Sequence, residues 1–302
     1  MPAPAPARAP EPTAAAPSIS ELTPGRRFRG DYACVRKDRL TARNGSPYLS
    51  VELRDRTGTI SGRAFREVDR LAARFDRGDA IRVAGRAELF RGELVVEIDD
   101  IRALDGAGLD PAAFLPSAYR DGEELAGFLE HLTGEVHDPG LREVVTRVLF
   151  TDPVAAEFRR APCTRGGHHA YLGGLIEHTV AVGTLVGEVC QLHPRLDSDL
   201  LMAAALLHDV GKVREFTYGA EFGISEEGRL LGHLAIGAEI VGGACGDLSA
   251  ERRAALLHCV LSHHGVEGGR GPGRGFGSPE ALALCRLNSV EAGVKGALEH
   301  GL

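Results

Sequence analysis

Residues 200–212 read Leu-Leu-Met-Ala-Ala-Ala-Leu-Leu-His208-Asp209-Val210-Gly211-Lys212, an uncharged apolar run that stops on an adjacent imidazole and carboxylate. An apolar helix is a costly place for such groups, because burying them unpaired costs several kcal/mol. A His-Asp dyad there can offer one nitrogen and two oxygens to a single cation. Working outward, His178 lies mid-helix in Leu175-Ile176-Glu177-His178-Thr179, His233 opens a helix in Leu231-Gly232-His233-Leu234, and His263-His264 end a third before Gly265. Singly, each is more often a packing or surface histidine than a ligand. Together, borne on different helices and flanked by apolar residues, they match how a helical bundle builds a metal site in its core.

The surrounding periodicity is helical. Apolar residues recur at spacings of three and four through 125–132, 141–150, 175–192, 200–207, 230–241, 252–261 and 281–290. Ser198 or Asp199 opens one helix, Gly211 and Gly265 close two, and Ser278-Pro279-Glu280 begins another. Upstream the pattern changes to short alternating runs with turn residues between them. Strands are expected over 28–37, 48–54, 59–65, 80–89 and 93–101, with turns at Asn44-Gly45, Thr57-Gly58 and Arg91-Gly92 and a short helix over 67–75. Three strands, a helix and two strands is the plan of the OB-fold barrel. The reading is thus a multidomain α and β chain: a Pro/Ala-rich disordered tail (1–19), a five-stranded OB-fold barrel (20–104), a linker (105–120) and an all-α domain (121–302).

Charge divides the same way. The net charge is −7, yet residues 20–104 hold 18 Lys/Arg against 14 Asp/Glu, and 105–302 hold 16 against 27. A basic module joined to an acidic one fits a polyanion partner for the first and metal-binding carboxylates in the second, although two solvated surfaces would give the same split. In the barrel, Arg26, Arg27, Arg29, Arg36, Lys37, Arg39 and Arg43 accompany Phe28, Tyr32 and Tyr48, the mixture that stacks single-strand bases and tracks phosphates. Phe65 and Phe75 are expected to pack inside. The longest uncharged apolar run, 200–207, is far short of the roughly 18 residues of a membrane span. The first seventeen residues lack the features of a secretory signal. None of the six cysteines forms a C-x-x-C pair, so a reducing, cytoplasmic setting is expected.

The series H…HD…H…HH on helices resembles the HD phosphohydrolase superfamily. More closely, His168-His169-Ala170-Tyr171-Leu172-Gly173-Gly174-Leu175-Ile176-Glu177-His178-Thr179, then 206–212, 227–233 and 261–265, are similar to the YhaM-type 3′→5′ exoribonucleases, which also carry an OB-fold ahead of the HD domain. The likeness spans about residues 20–300.

The resemblance implies that His178, His208 and Asp209 hold one divalent ion and that Asp209 bridges to a second held by His233, His263 and His264. Two-metal hydrolysis uses ions about 3.5–4 Å apart. Manganese is favoured, with iron, nickel, zinc or magnesium as alternatives. Asp209 and Lys212 are the expected catalytic pair, Lys212 meeting a phosphate oxygen. His168 and His169 are expected at the substrate or just behind the ligands, or else in a structural turn; Arg36, Lys37 and Tyr48 are expected to bind substrate.

One position departs from the pattern. The family's last helix supplies an Asp where this chain has Asn288, whose neutral amide oxygen is the expected ligand and binds a divalent ion less strongly, with Glu291, three residues on, as the candidate substitute. His131, His137, His193, His258 and His300 are assigned to surface or packing. Residues 268–277, with Arg270 and Arg274, read as a loop or a phosphate-touching lid. The implied activity is 3′→5′ hydrolysis of RNA or single-stranded DNA to nucleoside 5′-monophosphates, with no membrane partner and a homo-oligomer compatible with it. Two other readings stand beside it: a phosphohydrolase acting on free nucleotides, and a nucleic-acid-binding protein whose site has decayed.

Overall fold

In a computed structural model of the chain, residues 17–104, 110–265 and 276–301 are described. The N-terminal tract up to residue 16 and all but the last two residues of the expected lid lie outside them. Contacts divide the chain into two compact units, one running to Phe114 and including Gly219–Glu221, the other holding Leu115–Tyr218 and Phe222 onward.

In the first unit five strands, β1 (Arg27–Thr41), β2 (Pro47–Asp55), β3 (Gly58–Ala64), β4 (Ala80–Phe90) and β5 (Glu93–Ala103), close into a barrel in the order β1-β2-β3-β5-β4. The period-two alternation does what it must: Leu49, Val51 and Leu53 of β2 face inward and meet Ile60, Val83, Val96 and Ile101 in one core. Register shifts leave Val35 of β1 and Asp99 of β5 as extra residues and bend those two strands around the closure. The β4–β5 turn places both Arg91 (φ 56°) and Gly92 (φ 88°) in the left-handed region, as a tight two-residue hairpin requires. A short helix, α1 (Val68–Ala72), follows β3. Part of the expected linker is ordered: Asp110 caps a single turn at Pro111–Ala113, and Phe114 and Leu115 are buried.

The second unit is built from α2 (Gly122–Gly134), α3 (Pro139–Leu149), α4 (Val154–Arg160), α5 (Gly174–Leu192), α6 (Ser198–Leu207), α7 (Lys212–Glu215), α8 (Glu226–Ala244), α9 (Ala250–Ser262) and α10 (Pro279–His300). A two-stranded ribbon, β6 (Phe216–Tyr218) with β7 (Phe222–Ile224), is an addition that periodicity did not anticipate, since three-residue strands are too short to show any. α6 is apolar all round because it is surrounded: Leu200–Leu207 are all buried, and α2, α3, α5, α9 and α10 pack against it. Asp197, one residue before the expected caps, caps α6 by accepting from Leu200 N. Asp199 instead accepts from the backbone N–H of His137 and Asp138.

Two glycines set the site. Gly232 (φ 69°) breaks α8 just before His233, so that His233 begins a new helical segment. Gly211 lies so close to α8 that a Cβ there would meet His233 O at 2.0 Å. The dyad loop and the His233 segment can pack together only because position 211 has no side chain.

Candidate metal centre and nucleic-acid interface

Helix ends carry most of the site. His208 follows α6, His263 and His264 follow α9, His233 follows the break in α8, and His178 alone stands mid-helix, in α5. These elements bring the histidines to the two oxygens of one buried carboxylate. Asp209 Oδ2 lies 3.3 Å from His208 Nε2 and 3.5 Å from His178 Nε2. Asp209 Oδ1 lies 3.3 Å from His263 Nε2 and 3.6 Å from His233 Nε2, and His233 Nε2 is 2.9 Å from His264 Nε2. The donors thus fall into two sets about one aspartate, a first pocket on Oδ2 and a second on Oδ1.

Partners behind the rings decide which nitrogen faces inward. His208 Nδ1 donates to Ala205 O (2.8 Å) and His263 Nδ1 to Val260 O (2.7 Å). A carbonyl only accepts, so both Nδ1 atoms carry hydrogen. His178 Nδ1 donates to Glu291 (2.5 Å) and His233 Nδ1 to Glu215 Oε1 (3.3 Å). Burial alone would raise the Glu291 carboxyl, but its hydrogen bonds to His169 and His178 prevail and hold it down to about 2. Burial likewise opposes ionisation of Glu215, and His233 outweighs it. In the neutral ring each Nε2 is then a lone pair aimed into the centre.

Lone pairs facing one another repel. His178 Nε2 and His208 Nε2 are nevertheless 3.2 Å apart in a buried space. Asp209 Oδ1 and His263 Nε2 are buried without a hydrogen-bond partner. Ligands about 2.0–2.2 Å from a common ion sit at about these mutual separations. Orphaned acceptors, converging lone pairs and a shared carboxylate fit a divalent cation and little else. Burial lowers the basicity of His178, of His263 to about 3 and of His264 to about 4, which keeps these three rings neutral donors.

Lys212 is buried one turn beyond the dyad and donates to Asp209 Oδ2 at 2.5 Å. Burial works against both charges; their mutual attraction wins, keeping the Asp209 carboxyl well below and the Lys212 ammonium above the ordinary range.

On α10, Glu291 joins His169 and His178 in a group whose donor atoms lie within 4.8 Å of one another. Glu291 uses one oxygen on His178 and the other on His169 Nε2 (2.8 Å), so its contacts lie on the far side of the ligand ring. Asn288 is buried one turn before it. His169 is 1% exposed, and Tyr171 and Glu177 continue the network behind it. His168 stands nearer the centre, with its ring 5.4 Å from that of His178. Sequence reasoning missed Glu215 and Cys163. The Cys163 thiol lies 3.3 Å from Lys212 Nζ and 3.5 Å from His168 Nε2, and burial pushes it up to about 12. Of the remaining histidines, His131, His137, His193 and His300 are exposed, and His258 Nε2 accepts from Gly277 N.

On the barrel the expectation for Phe65 is corrected: the ring is 55% exposed and stacks against Tyr48 with centroids 5.7 Å apart. Strand parity explains it, because Ile60 and Ala64 point inward and the residue after Ala64 must point out. Phe90, also exposed, has Arg63 at 4.4 Å and Arg91 at 5.4 Å over its ring. Phe28 and Tyr32 are core, as is Phe75. Lys37 is held by Phe75 O and Asp76, and Arg36 pairs with Asp38 while staying largely exposed.

Comparison with known proteins agrees with both units. An HD domain model matches residues 175–292, and an OB-fold nucleic acid binding domain model matches residues 34–104. The 3′-5′ exoribonuclease YhaM of Shouchella clausii is 30% identical over 83% of this chain and 79% of its own. That of Oceanobacillus iheyensis is 30% identical over 82% and 78%. Among solved structures, the second OB-fold domain of replication protein A from Methanococcus maripaludis is 24% identical, covering 31% of this chain and 97% of that one with a TM-score of 0.25. With two YhaM exoribonucleases 30% identical to it over more than four-fifths of its length, the chain belongs to the YhaM family.

Proposed function

We propose that this protein is a metal-dependent 3′→5′ exonuclease that hydrolyses RNA or single-stranded DNA to nucleoside 5′-monophosphates. The observation that carries the reading is the convergence of imidazole nitrogens on both oxygens of Asp209, with His178 Nε2 and His208 Nε2 3.2 Å apart and Asp209 Oδ1 and His263 Nε2 buried without a hydrogen-bond partner. His178, His208 and Asp209 would hold one divalent ion and Asp209, His233, His263 and His264 a second. Such ions supply Lewis acidity and neutralise charge on the phosphodiester. The chain's own part is placement. Glu291, Glu215 and the carbonyls of Ala205 and Val260 hold each ring with Nε2 inward. Lys212 keeps a permanent positive charge beside Oδ2, suited to a phosphate oxygen.

The exposed Tyr48-Phe65 stack and the Phe90 ring with Arg63 and Arg91 supply flat apolar faces and cations, which suit unpaired bases and their backbone. Polarity of cutting and the preference for RNA come from the named activity of the two relatives. Manganese is the favoured ion, and a cytoplasmic setting accords with a chain in which no described helix is long and apolar enough to cross a membrane.

Digestion of single strands labelled at either end, with manganese present, tests this directly. The 3′ label should be released at once as a mononucleotide while the 5′-labelled strand shortens progressively. Asp209→Ala should do neither; equal digestion by that variant would remove the metal centre from the mechanism. Turnover of mononucleotides in preference to oligonucleotides would favour the free-nucleotide phosphohydrolase.

A further inference from the structure

We propose that Cys163 is a thiolate ligand of the first pocket, which makes that pocket selective for a thiophilic divalent cation. The inference rests on the metal-centre reading above and concerns a residue with no part in it so far.

The geometry comes from the loop between α4 and α5. Cys163 N donates to His169 O (3.0 Å), Thr164 Oγ1 donates to His168 O (2.8 Å), and Gly167 N donates to Thr164 Oγ1 (2.8 Å). These bonds fold 163–169 into a closed turn that delivers the thiol and the His168 ring to the same side of the centre. Cys163 Sγ then lies 3.5 Å from His168 Nε2 and 3.8 Å from Asp209 Oδ2. Donor atoms of Cys163, His168 and His178 all fall within 4.8 Å of one another. His178 also belongs to the first pocket, so the thiol adjoins that pocket and not the one on Oδ1.

Charge gives the reason. Asp209 is divided between two pockets, and its Oδ2 already faces the Lys212 ammonium. The helix that would bring a further carboxylate carries Asn288, and both oxygens of Glu291 are committed to His178 and His169. Among the described residues, half a shared carboxylate is therefore the negative charge directed at the first pocket, opposed by a lysine. A thiolate restores a full negative charge. When it binds, the S–H bond breaks, a sulfur–metal bond forms and the proton leaves to solvent. Sulfur with imidazole favours zinc, cobalt or ferrous ion over magnesium and, in the first pocket alone, over the manganese proposed above for the centre.

Cobalt(II) titration of the metal-stripped full chain tests the assignment without using activity. Visible bands report cobalt in any site, and a near-ultraviolet sulfur-to-cobalt charge-transfer band reports a thiolate ligand. The wild type should show both. Cys163→Ser and Cys163→Ala should keep the visible bands and lose the charge-transfer band. Cobalt bound in the wild type without that band, or a band that persists in both variants, overturns the proposal and leaves the His-Asp centre standing. Failure of the wild type to bind cobalt at all overturns the metal centre itself.

Discussion

The two sides of Asp209 are unlike. On Oδ2 the ligands His178 and His208 are fully buried and an ammonium is already at hydrogen-bond distance. On Oδ1 the acceptor has no partner, and His233 and His264 reach toward solvent. One carboxylate thus serves a closed, charge-compensated pocket and an open, electron-rich one. The open side is the one whose imidazoles reach solvent, and the closed side is the one the Lys212 ammonium adjoins. Orientation is alike, since each pocket has one ring aimed by a carboxylate, Glu291 for the first and Glu215 for the second.

The largest test removes what the pockets share. Asp209→Ala should lower nuclease activity by on the order of 10³-fold or more, the loss of about 4 kcal/mol or more of charge stabilisation. It also strands the buried Lys212, so a melting measurement should show destabilisation of about 3–5 kcal/mol. Unchanged stability would mean that Lys212 escapes to water.

Next come the aiming carboxylates, which should part the two sides. Glu291→Gln should weaken the ion of the first pocket, and Glu215→Gln the ion of the second, each by about 10–100-fold in a metal titration. If both changes weaken the same ion, the division into two pockets is wrong. On the barrel, Phe65→Ala should weaken single-strand binding by about 1–3 kcal/mol in a fluorescence titration while turnover of a dinucleotide is unaffected. Arg36→Ala should do least: its exposed pairing with Asp38 is worth about 0–1 kcal/mol, so stability should hardly move in a denaturant melt.

How much of this was legible in the sequence depended on periodicity. The barrel strands could be read because alternation has a period of two and turns have their own residues, and the histidines that cluster about Asp209 because imidazoles interrupt apolar helices. Phe65 was misassigned although the signal was present, since parity from Ile60 and Ala64 points it outward. Glu291 was seen on the right helix, but sequence spacing could not tell a residue that reaches the ion from one that reaches the histidine behind it. Cys163 gave no signal. Its approach depends on a turn closed by backbone hydrogen bonds, and a buried thiol in an apolar setting reads as packing.

The carbonyls that orient His208 and His263 have a second consequence. Ala205 O and Val260 O belong to the final turns of α6 and α9, where helices have acceptors to spare. Each imidazole therefore closes the end of the helix that carries it and presents its other nitrogen to the centre. Fraying of those turns and loss of the donor set are one event, so slow hydrogen exchange of the last amides in α6 and α9 should appear when the centre is loaded and vanish when it is stripped.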